Sequence, residues 1–283
     1  MTLDLQLKGS TKKFANYLKK FSKIRKTLLL ELDAENRYFI AKSPTEDRAS
    51  VYYSAISFDE CGIAYLAKEG AETPGRIRIG IINQLDKVIS ILESFEKELS
   101  ASEDAVIGIS VTYSGQFDAE GNEVPSATRL AFSSNKVTIK YDTFRVKEFK
   151  YMSDSVLFEN VMAVENPISF EFSADTINDV IGISEIVKTG ERNETMAFSC
   201  DGDAIYVSNS KNPEDEKYRI KVAELEPKGN PDFALAIQRD AFIRMLSKPE
   251  GSYLVSIGAN DKSKIVFDSQ FDTTKVAVAC LNV

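Results

Sequence analysis

The chain has 283 residues, 43% of them hydrophobic, and a formal net charge of −8, which leaves room for two ordinary domains or one large one with a sizeable core. It contains no histidine, which excludes Ser-His-Asp and Cys-His catalysis and every histidine-dependent zinc site. No run approaches the ~18 apolar residues of a membrane span, no GxxxxGK[ST] or GxGxxG phosphate loop occurs, and the N-terminus lacks a basic-then-apolar secretory pattern.

Leu3–Leu7 reads as a short strand, and the residues around and after it carry the most uneven charge in the chain. The window Leu5–Leu30 holds eight basic residues and no acidic one, so the remainder sits at −16. Phe14, Tyr17, Leu18 and Phe21 recur at i, i+3, i+4 and i+7, one apolar face of a helix. Lys12, Asn16, Lys19 and Lys23 point the opposite way, with Lys13 and Lys20 on the flanks. Ser10 or Thr11 is placed to cap its start. A helix glued to a core on one side and strongly positive on the other suits a polyanion, and phosphate backbone is the obvious one. An ordinary solvated lysine face is the alternative.

Strands Leu28–Leu32, Tyr38–Lys42 and Val51–Phe58 complete a first strand–helix–strand–strand–strand unit. A second starts at Arg76–Ile79. Its helix keeps Leu85, Val88, Ile89, Leu92 and Phe95 on one side, and strands follow at Val106–Tyr113, Arg129–Phe132 and Lys136–Phe144. Gly115–Gly121 reads as a hairpin loop. Lys147–Pro167 reads as a linker carrying the apolar run Val161–Val164. The third unit starts at Ile168–Phe172, buries Ile177, Val180, Ile181 and Ser184 on its helix, and continues at Met196–Cys200, Ala204–Asn209 and Tyr218–Leu225. Asp201-Gly202-Asp203 could in principle hold a cation, but Asp-Gly between two strands signals a tight turn. The fourth unit starts at Phe233–Ile237. A short helix centred on Phe242, Met245 and Leu246 stops before Pro249, and strands follow at Tyr253–Ile257, Lys264–Asp268 and Lys275–Leu281. Cys61, Cys200 and Cys280 are far apart and odd in number, which gives neither a disulfide framework nor a CxxC metal pattern. Reduced thiols point to an intracellular setting.

Four such units, two per half, define an α+β architecture of two tandem similar domains, 1–148 and 168–283, joined by a connector at 149–167. This pattern resembles the DNA polymerase sliding clamps, most closely those of T4-like phages and more distantly proliferating cell nuclear antigen. The resemblance is best over 166–283, where Phe172-Ser173-Ala174-Asp175-Thr176-Ile177 enters a helix and Ala204–Ser208 forms a core strand. It implies the DNA clamp fold, with antiparallel sheets outside and helices lining a hole around duplex DNA. It also implies no catalysis and no cofactor, and the cytoplasm as location (the host's, for a phage-encoded protein). The implied partners are duplex DNA bound without sequence preference, a DNA polymerase, an ATP-driven clamp loader, and the chain itself as a homotrimer.

The DNA-facing set expected on this basis is Lys12, Lys13, Asn16, Lys19, Lys20 and Lys23, helped by Lys87 on the second helix and Arg244 and Lys248 on the fourth. The third helix offers Asp175, Asp179, Gly182 and Ile186 instead. That leaves open a clamp-fold monomer that holds DNA on one basic face without closing a ring. A metal-dependent carboxylate nuclease is a lower alternative, since no spacing selects a carboxylate pair. By the same resemblance, Val137, Ile139 and Tyr141 on one edge strand should meet Tyr218, Ile220 and Val222 of the next subunit. Partner peptides should dock in an apolar groove made by Leu157, Phe158, Val161, Met162 and Val164 of the connector with Leu281 and Val283 at the C-terminus. Sealing of the seam between domains is the alternative role for these residues.

Overall fold

Alternating apolar runs become strands and the 3.6-residue stripes become helices in the computed structural model. It describes residues 1–44, 50–66, 75–102, 104–118, 121–149, 162–165, 167–188, 194–225, 233–246, 250–258 and 264–280. The chain divides into two compact units. Unit 1 is Met1–Ser43 with Tyr53–Ser155, and unit 2 is Pro44–Tyr52 with Val156–Val283. The assignment of 44–52 to unit 2 has no signal in the sequence pattern.

Unit 1 runs β1 (Thr2–Lys8), α1 (Lys12–Ser22), β2 (Leu28–Asp33), β3 (Tyr38–Pro44), β4 (Ser50–Ser57), α2 (Phe58–Cys61), β5 (Ile63–Leu66), β6 (Ile77–Ile81), α3 (Leu85–Leu99), β7 (Val106–Phe117), β8 (Glu123–Ser133) and β9 (Thr138–Asp142). The strand order is β4-β3-β2-β6-β8-β7-β1-β5, with β9 paired to β8. The registered pairs are antiparallel except β6 with β8, which meet in parallel at Arg78 and Ser126. Phe14 and Leu18 of α1 and Val88 of α3 converge with Leu5, Leu30, Ile79, Ile109 and Leu130 from five strands. Both helices therefore lie on one face of the sheet. Each such side chain stabilises the unit by about 1.5–3 kcal/mol when fully buried.

The other face of β2, β3 and β6 is also covered. There Leu29 packs with Ile82, Phe144 and Phe149. Beside them is a buried charge cluster: Lys42 Nζ lies 3.3 Å from Glu31, and Arg78 lies 3.7 Å from Glu31 and 3.3 Å from Asp118. Glu31, Lys42 and Asp118 are all buried, so each survives only because its partner is present.

Two local details differ from the sequence reading. Gly115–Phe117 is not loop: β7 runs through it, the Asp118 N–H donates to the Asn122 carbonyl, and Gly121 takes φ +87°. Gly115 sits where the Glu123 side chain passes directly over the strand. Secondly, α2 and β5 intervene after β4. A capping box between Ser57 and Glu60 starts α2, and Gly62 at φ +68° ends it. The Ser-Phe-Asp-Glu string at 57–60 is the readable signal for that helix. Asp201-Gly202-Asp203 is, as the Asp-Gly pair signals, the tight turn of a hairpin, with Gly202 at φ +64°.

Unit 2 contains β10 (Pro167–Phe172), α4 (Ala174–Val187), β11 (Thr195–Asp201), β12 (Ala204–Ser208), β13 (Arg219–Glu224), β14 (Phe233–Gln238), α5 (Arg239–Leu246), β15 (Tyr253–Gly258), β16 (Lys264–Ser269) and β17 (Lys275–Ala279). Two runs of strands, β10-β15-β16-β17 and β13-β12-β11-β14, are each antiparallel. Phe172, Phe198, Phe242 and Phe267 join β10, β11, α5 and β16, with ring centroids 6.0–6.3 Å apart. Cys61 and Cys200 are buried and Cys280 is partly buried, and none of the three is in a disulfide.

The position of α1 is fixed from outside the helix. Thr11 stands at its N-cap but its side chain does not cap. Instead Glu96 of α3 accepts from the Thr11 N–H (2.8 Å), the Thr11 hydroxyl (2.9 Å) and the Ser10 hydroxyl (3.0 Å), while Ser10 Oγ accepts from the Lys12 N–H (3.1 Å). A carboxylate at a helix N-terminus is also favoured by the helix dipole. Partial burial pushes the Glu96 pKa up, but these hydrogen bonds outweigh it and bring it down to about 2. A carboxyl depressed on folding stabilises fully above its ordinary pKa of 4.5, and the contribution is lost as the pH falls through about 2. Glu96→Ala should therefore cost on the order of 1–2 kcal/mol at neutral pH. Urea melts of the two proteins should converge as the pH approaches 2, and a gap that persists there would contradict the assignment.

Candidate nucleic-acid interface

The apolar stripe of α1 is buried as Phe14, Tyr17, Leu18 and Phe21, and the Tyr17 hydroxyl donates to the Ser54 carbonyl at 2.7 Å. This orients the opposite side of the helix outward. Lys12, Lys13, Asn16, Lys19 and Lys23 are exposed, and Lys20 is half-buried.

The charge of this face is only partly unopposed. Lys12 lies 3.5 Å from Glu96, Lys19 2.6 Å from Glu93, and Lys26 2.7 Å from Asp86. The helices run antiparallel, so bases rising along the chain meet acids descending along α3. Lys12, Lys19 and Lys26 are seven residues apart, as are Asp86 and Glu93. That shared spacing is the sequence signal that could have revealed the ladder. Lys13 and Lys23 make no ion pair among the described residues. Each exposed pair contributes about 0–1 kcal/mol and is screened by salt, so the paired lysines can still exchange a carboxylate for a phosphate.

On α3, Lys87 is exposed and its ammonium stands 5.8 Å from the centre of the Tyr141 ring. Arg244 on α5 is exposed and 3.9 Å from Asp240. Lys248 lies outside the described residues. On α4, Asp175, Asp179, Gly182 and Ile186 are exposed, so its outward face carries acids and an apolar residue rather than bases.

Both strands expected at a subunit contact are edges among the described strands: β9 pairs only with β8, and β13 only with β12. Val137 is exposed, and Ile139, Tyr218, Ile220 and Val222 are partly exposed. Tyr141 is a correction. It is buried within unit 1, where its side chain packs inward from β9, and burial pushes its pKa up to about 12. The alternation along β9 puts Tyr141 on the inner face by the same rule that made it look like an interface residue, and it offers a partner only its backbone. Of the expected docking groove, Met162 and Val164 are partly exposed, while Leu157, Phe158, Val161, Leu281 and Val283 lie outside the described residues. Among the described residues no group of His, Cys, Asp and Glu converges as a metal site, and no helix is long and apolar enough to cross a membrane.

Neither protein-family models nor curated protein sequences match the chain. Solved structures do. The PCNA of A. fulgidus, solved with the C-terminal region of FEN-1, is similar at a TM-score of 0.63 and 11% identity, over 99% of each chain. Proliferating cellular nuclear antigen from Entamoeba histolytica gives 0.62 at 10% identity, over 99% of this chain and 98% of that one. The Helicobacter pylori beta clamp bound to a DNA ligase peptide gives 0.62 at 8% identity, over 99% of this chain and 66% of that one. At such identities the likeness speaks for the fold alone, and on that it is consistent along nearly the whole length: this chain has the sliding-clamp fold.

Proposed function

We propose that the protein is a sliding clamp, a non-enzymatic processivity factor that encircles duplex DNA and tethers a DNA polymerase to it. What supports this most is the combination of a sliding-clamp fold with an exposed basic helix face in a chain that is otherwise acidic. Contacts from lysines go to phosphates and read no bases, so a protein held by them can move along the duplex. Acidic surface elsewhere disfavours adhesion of DNA to the wrong face.

A ring of six domains takes three copies of a two-domain chain. The open edges β9 and β13 supply the means: backbone ladder bonds between one copy and the next, with Val137, Ile139, Ile220 and Val222 flanking them. An ATP-driven loader would then open the ring onto DNA, in the cytoplasm of a host cell if the protein is phage-encoded. The polymerase would enter by a short peptide, in the groove to which Leu157, Phe158, Val161, Met162, Val164, Leu281 and Val283 are assigned. Two of the similar structures hold such segments, the C-terminal region of FEN-1 and a DNA ligase peptide. A second reading is a clamp-fold monomer that binds DNA on α1 alone. It is favoured by one observation, the acids Asp175 and Asp179 on the outward face of α4.

Three measurements test these readings. Sedimentation equilibrium should give three chain masses at micromolar concentration, and proline at Lys140, whose N–H faces away from β8, should weaken that state by removing an outward ladder donor. A monomer that still binds DNA would support the second reading.

Duplex binding followed by anisotropy should show no sequence preference. Lys13→Ala with Lys23→Ala should lower the salt slope by roughly 0.9 for each phosphate that is no longer neutralised, and Glu93→Gln should raise affinity by releasing Lys19. Unchanged slopes would mean a merely solvated helix.

Met162→Glu should abolish polymerase stimulation while the oligomer persists. Undiminished stimulation would move the docking groove elsewhere.

A further inference from the structure

The residues that follow β9 do not leave unit 1 at once. The Thr143 N–H donates to the Thr128 carbonyl of β8 at 3.1 Å, and the Phe144 N–H donates to the Gly80 carbonyl of β6 at 3.0 Å, an isolated bridge. The Val146 N–H then donates to Gln116 Oε1 at 3.4 Å. A turn of 3₁₀ helix spans Val146–Glu148, and the Phe149 N–H donates to the Val146 carbonyl at 2.9 Å. The segment thus crosses from β8 over β6 to β2, where Phe149 packs on Leu29 with Ile82 and Phe144. Val146 and Phe149 are buried, while Arg145 and Lys147 are exposed.

Gly80 makes this crossing possible. A Cβ there would lie 2.5 Å from Phe149 Cε2 and 2.6 Å from the Phe144 carbonyl oxygen, so any other residue evicts the ring. Glycine inside a strand weakens it and marks a close approach from elsewhere. The seat of the ring has charged neighbours. Leu29 is flanked by Gly80 on one side and by Lys42 on the other. Glu31 and Arg78 stand opposite each other two residues along, on the same face. Lys42 and Glu31 are buried, and buried ions gain when water reaches them. Lifting Phe149 therefore exposes apolar surface but hydrates charge beside it, and the second offsets part of the first.

We infer that residues 144–149 form a strap, closed by Phe149 over Gly80, that opens on its own while the sheet of unit 1 stays folded. Opening frees roughly 20 Å of extended chain on the way to Val156, where the chain enters unit 2. The strap thus sets how much slack the chain has between the units. It concerns unit 1 alone and does not depend on the ring reading.

Native-state hydrogen exchange of the full chain, in urea below the unfolding transition, tests the strap. The Phe144 amide should exchange at least about tenfold faster than amides at the centre of β7, with a flat urea dependence where theirs is steep. Phe149→Ala should speed Phe144 exchange by a further tenfold or so, with β7 exchange and circular dichroism unchanged. Phe149→Leu, which refills the seat, should recover most of the protection. Trypsin cleavage after Arg145 needs the same opening and should follow the same order. A wild-type Phe144 amide that exchanges with the rate and urea slope of β7 overturns the inference, because the strap then opens only when the whole unit unfolds. Equal exchange and cleavage in wild type and Phe149→Ala overturn it too, because the ring then holds nothing closed.

Discussion

The function proposed for this protein depends on one constraint: α1 must crowd positive charge onto a surface without being expelled from it. Magnitudes show how that is met. Four buried side chains, Phe14, Tyr17, Leu18 and Phe21, contribute about 1.5–3 kcal/mol each. The exposed ion pairs with α3 contribute about 0–1 kcal/mol each. Apolar burial therefore holds the helix, and the acids of α3 decide only how it is rotated and how much of its charge is left for a ligand. Glu96 does more than its neighbours, because it also supplies the acceptor that the helix start lacks.

That division has a functional side. A clamp that gripped phosphate with every lysine at full strength would bind tightly and travel poorly. Under the proposed function, lysines already engaged with Glu93 and Glu96 would trade one anion for another, with a small net gain on meeting DNA. Lys13 and Lys23, with no such partner among the described residues, would then set the strength of the hold. The unequal helices point the same way: basic charge is exposed on α1, while α4 presents Asp175 and Asp179.

Much of this architecture is legible in the sequence, for identifiable reasons. The stripe of α1 and the alternation of strands such as 136–141 report burial directly, because a side chain's period matches the backbone that carries it. What does not report itself is partnership. Glu31, Lys42, Arg78 and Asp118 look like ordinary surface charges until the sheet brings them together. The α1–α3 ladder needs two helices to be seen at once. Gly115 looks like a turn residue because the reason for it, the Glu123 side chain crossing above, is on another strand. Tyr141 shows the converse: the alternation of its strand is plain in the sequence, but which of the two faces turns inward is not. Arg239 gives no sign in one dimension that it is buried with a nitrogen unspent.

The buried charges of unit 1 also have a thermal side. Taking ions out of water becomes less unfavourable as temperature rises. Glu31, Lys42, Arg78 and Asp118 therefore weigh least against the fold at the temperatures where heat comes nearest to unfolding it.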